Sequence, residues 1–297
     1  MFDITLLTDK RYLSFKEGDW YNNNVVEEDR LVAEAFTKLG WKVTRTYWDD
    51  HDFDWTNTRF ALFRTTWDYF DRFEEFSKWM DATASKTCFI NSIDLVRWNI
   101  DKKYLIELRE NGVSIPPTIY IEPGYSSTLK ELLEGIIWKK FILKPAVSGA
   151  ARHTYLFEST EAEKYEAVFS SLVKNEAMLL QEYQEAVVTK GEVALMIMNG
   201  KFTHAVLKKA KSGDFRVQDD FGGTVHDYSP DAMMIEWAEN IVKLCPHFPF
   251  YARVDMIWNN RNEFCLSELE MIEPELWFRK YHHAALELAK GVTEHFK

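Results

Sequence analysis

Arg253-Val254-Asp255-Met256-Ile257-Trp258, the tetrapeptide Asn259-Asn260-Arg261-Asn262, and Glu263-Phe264-Cys265-Leu266-Ser267-Glu268-Leu269-Glu270-Met271-Ile272 read together as a β-hairpin. Both arms are rich in apolar residues at period two, and the Asn-rich tetrapeptide between them is a turn signal. With all four turn residues unpaired, Trp258 is expected opposite Glu263 and Asp255 opposite Leu266. Strand side chains alternate between faces, so Arg253, Asp255, Glu268 and Glu270 share one face while Val254, Met256, Leu269 and Met271 take the other. Three neighbouring carboxylates repel and resist ionisation unless a cation sits among them, and oxygen-only ligands suit magnesium. The alternative is the solvated face of an edge hairpin, the usual use of charged strand residues.

The chain has 297 residues, 46% of them hydrophobic, enough for two or three packed lobes. A formal net charge of −11 argues against a nucleic-acid or anionic-membrane partner, since either would be repelled at long range. Cys88, Cys245 and Cys265 are odd in number and lack paired metal spacing, so neither a disulfide framework nor a zinc site is expected. The N-terminus carries Asp3 inside its only apolar run and has no cationic leader, and no apolar stretch is long enough to span a bilayer. The expectation is a cytoplasmic protein without an anchor, monomeric or homodimeric.

Residues 1–95 alternate short apolar strands (4–7, 43–47, 61–64, 88–90) with helical patterns (26–39 and 73–84), an order that implies a parallel α/β lobe. In such sheets ligands gather beyond the carboxyl ends of the strands, and Thr65-Thr66-Trp67-Asp68-Tyr69 falls there. That segment is a candidate substrate-side loop, against the alternative that Trp67 and Tyr69 only pack under a helix. A second unit, 96–183, opens with a helix expected from Asp101 to Gly112 that carries Lys102. It continues with a strand at 118–121, helices near 129–137 and 162–173, and a strand at 179–183. The third, 184–297, starts with a hairpin (192–198 and 201–208) turned by Asn199-Gly200. A polar loop, a helix near 231–244, the acidic hairpin and a terminal helix from about 277 follow.

The strand Phe141-Ile142-Leu143-Lys144 runs into Pro145-Ala146-Val147-Ser148-Gly149-Ala150-Ala151-Arg152, a loop of small residues. Its exposed backbone N–H groups and the strand-end lysine resemble a nucleotide phosphate clamp, although the GxxxxGK[ST] pattern of a P-loop is missing. An ordinary hairpin loop is the alternative.

Taken in order, the helix lysine, Lys144 with its loop, Leu180-Gln181-Glu182-Tyr183, Arg253-x-Asp255 and Glu268-x-Glu270 resemble the ATP-grasp superfamily of carboxylate–amine ligases over residues 96–275. Thr65 to Tyr69, Val96-Arg97-Trp98-Asn99 with Asp101-Lys102, and Gly213-Asp214-Phe215-Arg216-Val217-Gln218 are similar to the branch that contains the O-ureidoserine cyclo-ligase of cycloserine biosynthesis. The resemblance implies an ATP-grasp fold of α/β class: a parallel pre-ATP-grasp domain, a small lid and a C-terminal antiparallel sheet. It implies ATP and Mg2+, with Mn2+ as a substitute, and a small amino-acid-like substrate joined through an acyl phosphate to an amine-type nucleophile. A small-molecule kinase and a non-catalytic nucleotide-binding module are the alternatives. By the same resemblance, Lys102, Lys144, Ser148 and Gly149 contact ATP phosphates, Gln181, Glu182 and Tyr183 read adenine, and Glu192 holds the ribose. Asp255, Glu268 and Glu270 ligate magnesium, Glu270 standing where the commoner pattern has asparagine. Arg253 is expected to stabilise an oxyanion, and Lys208 and Arg216 to hold a phosphate or the substrate carboxylate, or to form structural ion pairs.

Overall fold

The computed structural model describes residues 1–211, 213, 214, 216, 217 and 222–297. In chain order the elements are β1 (Phe2–Thr8), α1 (Trp20–Lys38), β2 (Val43–Tyr47), β3 (Thr58–Thr65), α2 (Phe73–Ala84), β4 (Cys88–Ile90), α3 (Ile93–Ile100), α4 (Tyr104–Glu110), β5 (Thr118–Ile121), α5 (Leu129–Leu133), β6 (Lys140–Pro145), β7 (Tyr155–Glu158), α6 (Ala162–Leu172), β8 (Met178–Glu182), α7 (Ala186–Lys190), β9 (Glu192–Met198), β10 (Lys201–Lys209), β11 (Thr224–Tyr228), α8 (Ala232–Lys243), β12 (Tyr251–Trp258), β13 (Phe264–Glu270) and α9 (His282–Phe296). They form a parallel sheet in the order β2-β1-β3-β4 and two antiparallel sheets, β5-β8-β6-β7 and β11-β10-β9-β12-β13. No described helix is long and apolar enough to cross a membrane.

The parallel sheet is covered on both faces, which is why its strands read as near-continuous apolar runs. Ile4, Leu6, Phe60 and Leu62 join α1 and α9 in one core, while Leu7, Ala61, Phe63 and Phe89 meet Phe76, Met80 and Val96 in another. β9 is buried along its whole length for the same reason. Its Ala194, Met196 and Met198 enter the core shared with the parallel sheet, and its Val193, Leu195 and Ile197 pack with α4 and α8. Each such side chain contributes roughly 1.5–3 kcal/mol on full burial, so the five-stranded sheet is a fixed platform with the N-terminal lobe clamped on one face.

Several elements depart from the sequence expectation. α1 begins six residues early because Asp19 caps it, accepting from Asn22 N at 3.0 Å. The helix expected from Asp101 starts only at Tyr104, as α4; α3, capped by Ser92, was not anticipated, and extended backbone at Asp101 separates the two. Lys102 therefore lies in the break and not on a helix, its N–H bonded to Ala146 O at 3.0 Å. α5 stops at Leu133, shortly before Gly135 with φ of +81°, and α9 starts five residues later than expected. β11 and α7 were not anticipated, since neither carries a strong periodic pattern.

The outer edge of β13 is sealed by side chains. Asn99 accepts from Met271 N at 2.8 Å and donates to Leu269 O at 2.7 Å, and the Tyr104 hydroxyl accepts from Leu269 N at 2.9 Å. Fully buried Asn91 donates to both Tyr251 O and Met271 O at 2.9 Å. These bonds satisfy an edge that would otherwise invite pairing, and they fix the acidic hairpin against α3 and β4.

Candidate active site

β12 and β13 place the acids as the alternation requires, through a register the sequence did not reveal. Asn259 pairs with Glu263 across the turn and Asn262 is left-handed (φ +64°), so the loop has three residues and Trp258 faces Phe264, not Glu263. A second one-residue offset follows at Ser267: Met256 faces Leu266, while Asp255 faces Glu268 and Arg253 faces Glu270. The extra residue is a β-bulge, with Leu266 N turned outward to Ser114 O at 2.8 Å and Ser267 Oγ donating to Glu192 Oε2 at 2.8 Å. The expected pairing of Asp255 with Leu266 is thus corrected. The two offsets restore the parity, so Arg253, Asp255, Glu268 and Glu270 do share a face.

That face lines a cavity of about 440 Å³ roofed by the β5–β8 sheet and closed by the N-terminal lobe, a volume typical of small-molecule sites. Every candidate residue named from the sequence lines it: Lys102, Lys144, Ser148, Gly149, Gln181, Glu182, Tyr183, Glu192, Lys208, Arg216, Arg253, Asp255, Glu268 and Glu270. Phe215 and Gln218 of the 213–218 motif lie outside the described residues.

The charges are densely cross-paired. Asp255 accepts from Arg253 at 2.8 Å and from Lys208 at 3.3 Å, and the same Lys208 reaches Glu192 at 2.5 Å. Glu268 pairs with Lys102 at 3.1 Å, and Glu270 with Arg253. Burial alone would raise the proton affinity of Glu268, but Lys102 and Lys144 overcome it and hold this carboxyl below the ordinary range. Glu270 moves the other way, because burial and then the charges of Glu268 and Asp255 outweigh Arg253. Lys208 is raised, Asp255 and Glu192 prevailing over burial. Arg216 is tied to Asp214 at 2.7 Å.

Lys144 differs from these cations. Burial, followed by repulsion from Lys102, lowers its proton affinity, and its ammonium has no hydrogen-bond or ion-pair partner among the described residues. It points into the cavity beside the small-residue loop. Lys102 donates to Ser148 O at 2.5 Å, and Ala150, Ala151 and His153 have left-handed backbone. Arg152 ties the loop to Glu176 at 2.8 Å and to Asp71 of the N-terminal lobe at 3.5 Å.

The segment expected to read adenine has its N–H groups engaged: Glu182 N donates to Pro117 O at 2.9 Å and Tyr183 N to Lys140 O at 3.0 Å. The Glu182 and Tyr183 carbonyls each accept a side-chain amide, from Gln184 and Asn260. Gln184 and Ser267 also line the cavity and were not singled out from sequence. Their only sequence signals are proximity to the 180–183 run and to the hairpin.

The donor set suits a hard divalent cation, for three carboxylates meet on one face and two of them raise the proton affinity of the third. Lys102, Lys208 and Arg253 neutralise them here. Among the described residues, no three His, Cys, Asp or Glu side chains are spaced to hold a metal ion in this conformation.

Comparison with known proteins converges on one family. Residues 4–91 match the model described as D-cycloserine synthetase DcsG, N-terminal domain. The cycloserine biosynthesis protein DcsG of Streptomyces lavendulae is 26% identical over 282 residues, 90% of this chain and 93% of that one. A crystal structure of D-cycloserine synthetase DcsG superposes with a TM-score of 0.84 at 25% identity, covering 99% of both chains. The ATP-grasp ligase PsnB, complexed with minimal precursor, Mg and ADP, superposes with a TM-score of 0.61 at 13% identity, covering 99% and 97%. The chain has the fold of the ATP-grasp ligases. Bacillus anthracis D-alanine–D-alanine ligase complexed with ATP shares the fold of this ligase, with a TM-score of 0.62 at 13% identity over 99% and 97% of the chains. The mixed α/β architecture, with its parallel N-terminal sheet and antiparallel sheets beyond, is the one this ligase was expected to have.

Proposed function

We propose that the chain uses ATP and magnesium to activate the carboxylate of a small amino-acid-like molecule, and that ring closure of O-ureidoserine in the manner of a cycloserine synthetase is its reaction. The observation that carries this reading is Lys144, an unpaired cation at a strand end, facing a carboxylate cluster across one cavity. A half-buried ammonium with no hydrogen-bond partner is costly unless an anion arrives, and nucleotide phosphates beside the 148–152 loop supply one.

Lys102, Lys144, Ser148 and Gly149 would hold the phosphates, and the Glu182 and Tyr183 carbonyls, with Gln181 behind them, would accept from the adenine amino group. Glu192 would bind the ribose. Asp255, Glu268 and Glu270 would hold magnesium, which when bound neutralises charge on the transferring phosphoryl group. Arg253 would stabilise the oxyanion of the tetrahedral intermediate, and Lys208 would hold the γ-phosphate. Arg216, steered by Asp214, would meet the substrate carboxylate. No side-chain nucleophile is needed: the substrate carboxylate attacks the γ-phosphate, and an amine-type nitrogen then displaces phosphate. In this reading residues 1–95, 96–183 and 184–297 act as substrate lobe, lid unit and metal-bearing unit.

The test is phosphate release by the purified protein with Mg-ATP and either enantiomer of O-ureidoserine, with product identified by mass. Release that requires both magnesium and substrate, with a cyclised product, supports the reading. A persistent phosphorylated product would make the protein a kinase, and a melting temperature unmoved by Mg-ATP would remove the nucleotide site.

A further inference from the structure

One wall of the cavity has no part in the nucleotide and metal roles above. It is built by Tyr12, Tyr21, Trp67 and Tyr69 from the N-terminal lobe and by Glu273, just beyond β13. The rings of Tyr12 and Trp67 meet edge to face at 5.6 Å, Tyr21 lies 6.3 Å from Trp67, and Tyr12 lies 6.4 Å from Tyr21. The Trp67 indole N–H donates to Glu273 O at 2.9 Å, and the buried Tyr69 hydroxyl is near enough to the Glu273 carboxyl for burial and then that acid to raise its proton affinity.

The electrostatics of this wall favour a cation. Arg11, which also lines the cavity, is held by both carboxyl oxygens of Asp9, at 3.1 and 2.7 Å. No cation pairs with Glu273 among the described residues. Burial, and then the charge of Glu270, push its proton affinity up to about 8, the behaviour of an acid lacking a counter-ion. Aromatic faces attract ammonium groups, and a carboxyl beside them adds a directed charge-assisted bond. Lys144, which lines the same cavity, leaves its positive charge for an anion. The cavity therefore offers groups of both signs, as a zwitterion requires.

We infer that Glu273, positioned by Tyr69 and Trp67 and flanked by Tyr12 and Tyr21, binds the ammonium group of an amino-acid substrate and so selects amino acids over simple carboxylic acids. The inference rests on the ligase reading only in placing the substrate carboxylate toward the phosphate side.

Calorimetric titration of the whole protein, with magnesium and a non-hydrolysable ATP analogue present, compares O-ureidoserine with 3-(ureidooxy)propionate, which differs by the missing ammonium. The wild type is expected to bind the former at least about 30-fold more tightly, because a site built for a polar group rejects the analogue lacking it. Glu273→Gln should bring the ratio below about threefold without changing affinity for the ATP analogue, and Glu273→Asp should retain part of it. A wild type that binds both equally or binds neither, or a Glu273→Gln protein that keeps the full ratio, overturns the inference. A retained ammonium preference without phosphate release would instead sink the ligase reading and leave the subsite standing.

Discussion

Asp255 stands directly opposite Glu268 across the β12–β13 ladder, yet the two carboxylates are answered by different cations, Asp255 by Arg253 and Lys208, Glu268 by Lys102. The pair is a preassembled anionic patch answered by cations from three segments, which a divalent ion would have to displace. Breaking it from one side has predictable cost.

Asp255→Asn leaves Arg253 and Lys208 buried and facing each other. The expected outcome is a loss of about 3 kcal/mol of stability by urea unfolding, as for removal of one partner from a buried ion pair. Magnesium-dependent turnover should fall at least about 100-fold. Unchanged stability would show that the cations relax into solvent.

Lys144→Met removes a cation without a protein partner, so the sign reverses. The ligand-free protein should melt at the same or a higher temperature, while KM for ATP rises at least about tenfold. Thermal denaturation with and without Mg-ATP separates the two effects.

Gly149 sets how closely the phosphate-side loop meets the N-terminal lobe: a Cβ there would lie 2.5 Å from the Phe70 ring. Gly149→Ala should displace the loop and lower kcat/KM about 10- to 100-fold, as misplacement of a positioning segment does. The double variant Gly149→Ala with Phe70→Ala should recover part of that loss, since the obstructing ring is gone. Steady-state kinetics of both proteins check the coupling.

Glu273 makes stability depend on pH. Its folded-state proton affinity, about 8, exceeds the ordinary carboxyl value of 4.5, so the native state holds a proton that the unfolded chain has released. The stabilisation is complete below about pH 4.5 and is lost as pH rises through 8. The ligand-free wild type should lose stability across that window with a contribution from Glu273 of up to about 1.4 kcal/mol per pH unit. Glu273→Gln should be flatter by that amount and more stable at pH 8. Denaturant titrations at pH 5, 6.5 and 8 measure the difference.

Much of this molecule was legible in the residues. The alternation in 253–258 and 263–272 announced which acids share a face, because strand parity survives any even shift of register. The actual register was not legible: Asn259, Asn262 and Ser267 each look like ordinary polar residues, and the bulge is bonded to Ser114 and Glu192, far away in sequence. Lys102 was recognised by its motif but placed on a helix, because periodicity reports apolar spacing and misses a break made by extended backbone at Asp101. Glu273 went unnoticed, since a single acid next to a proline carries no pattern.

Local sequence determined the elements, the parallel lobe and the set of charged residues, because period and capping act over a few neighbours. Tertiary packing alone decided which of those charges found partners. Nothing in the sequence showed that Lys102 and Lys208 would find carboxylate partners and Lys144 none. Whether a charge is paired depends on what the opposing sheet or lobe brings within a few ångströms, and that leaves Lys144 and Glu273 lining the cavity without an ion-pair partner among the described residues.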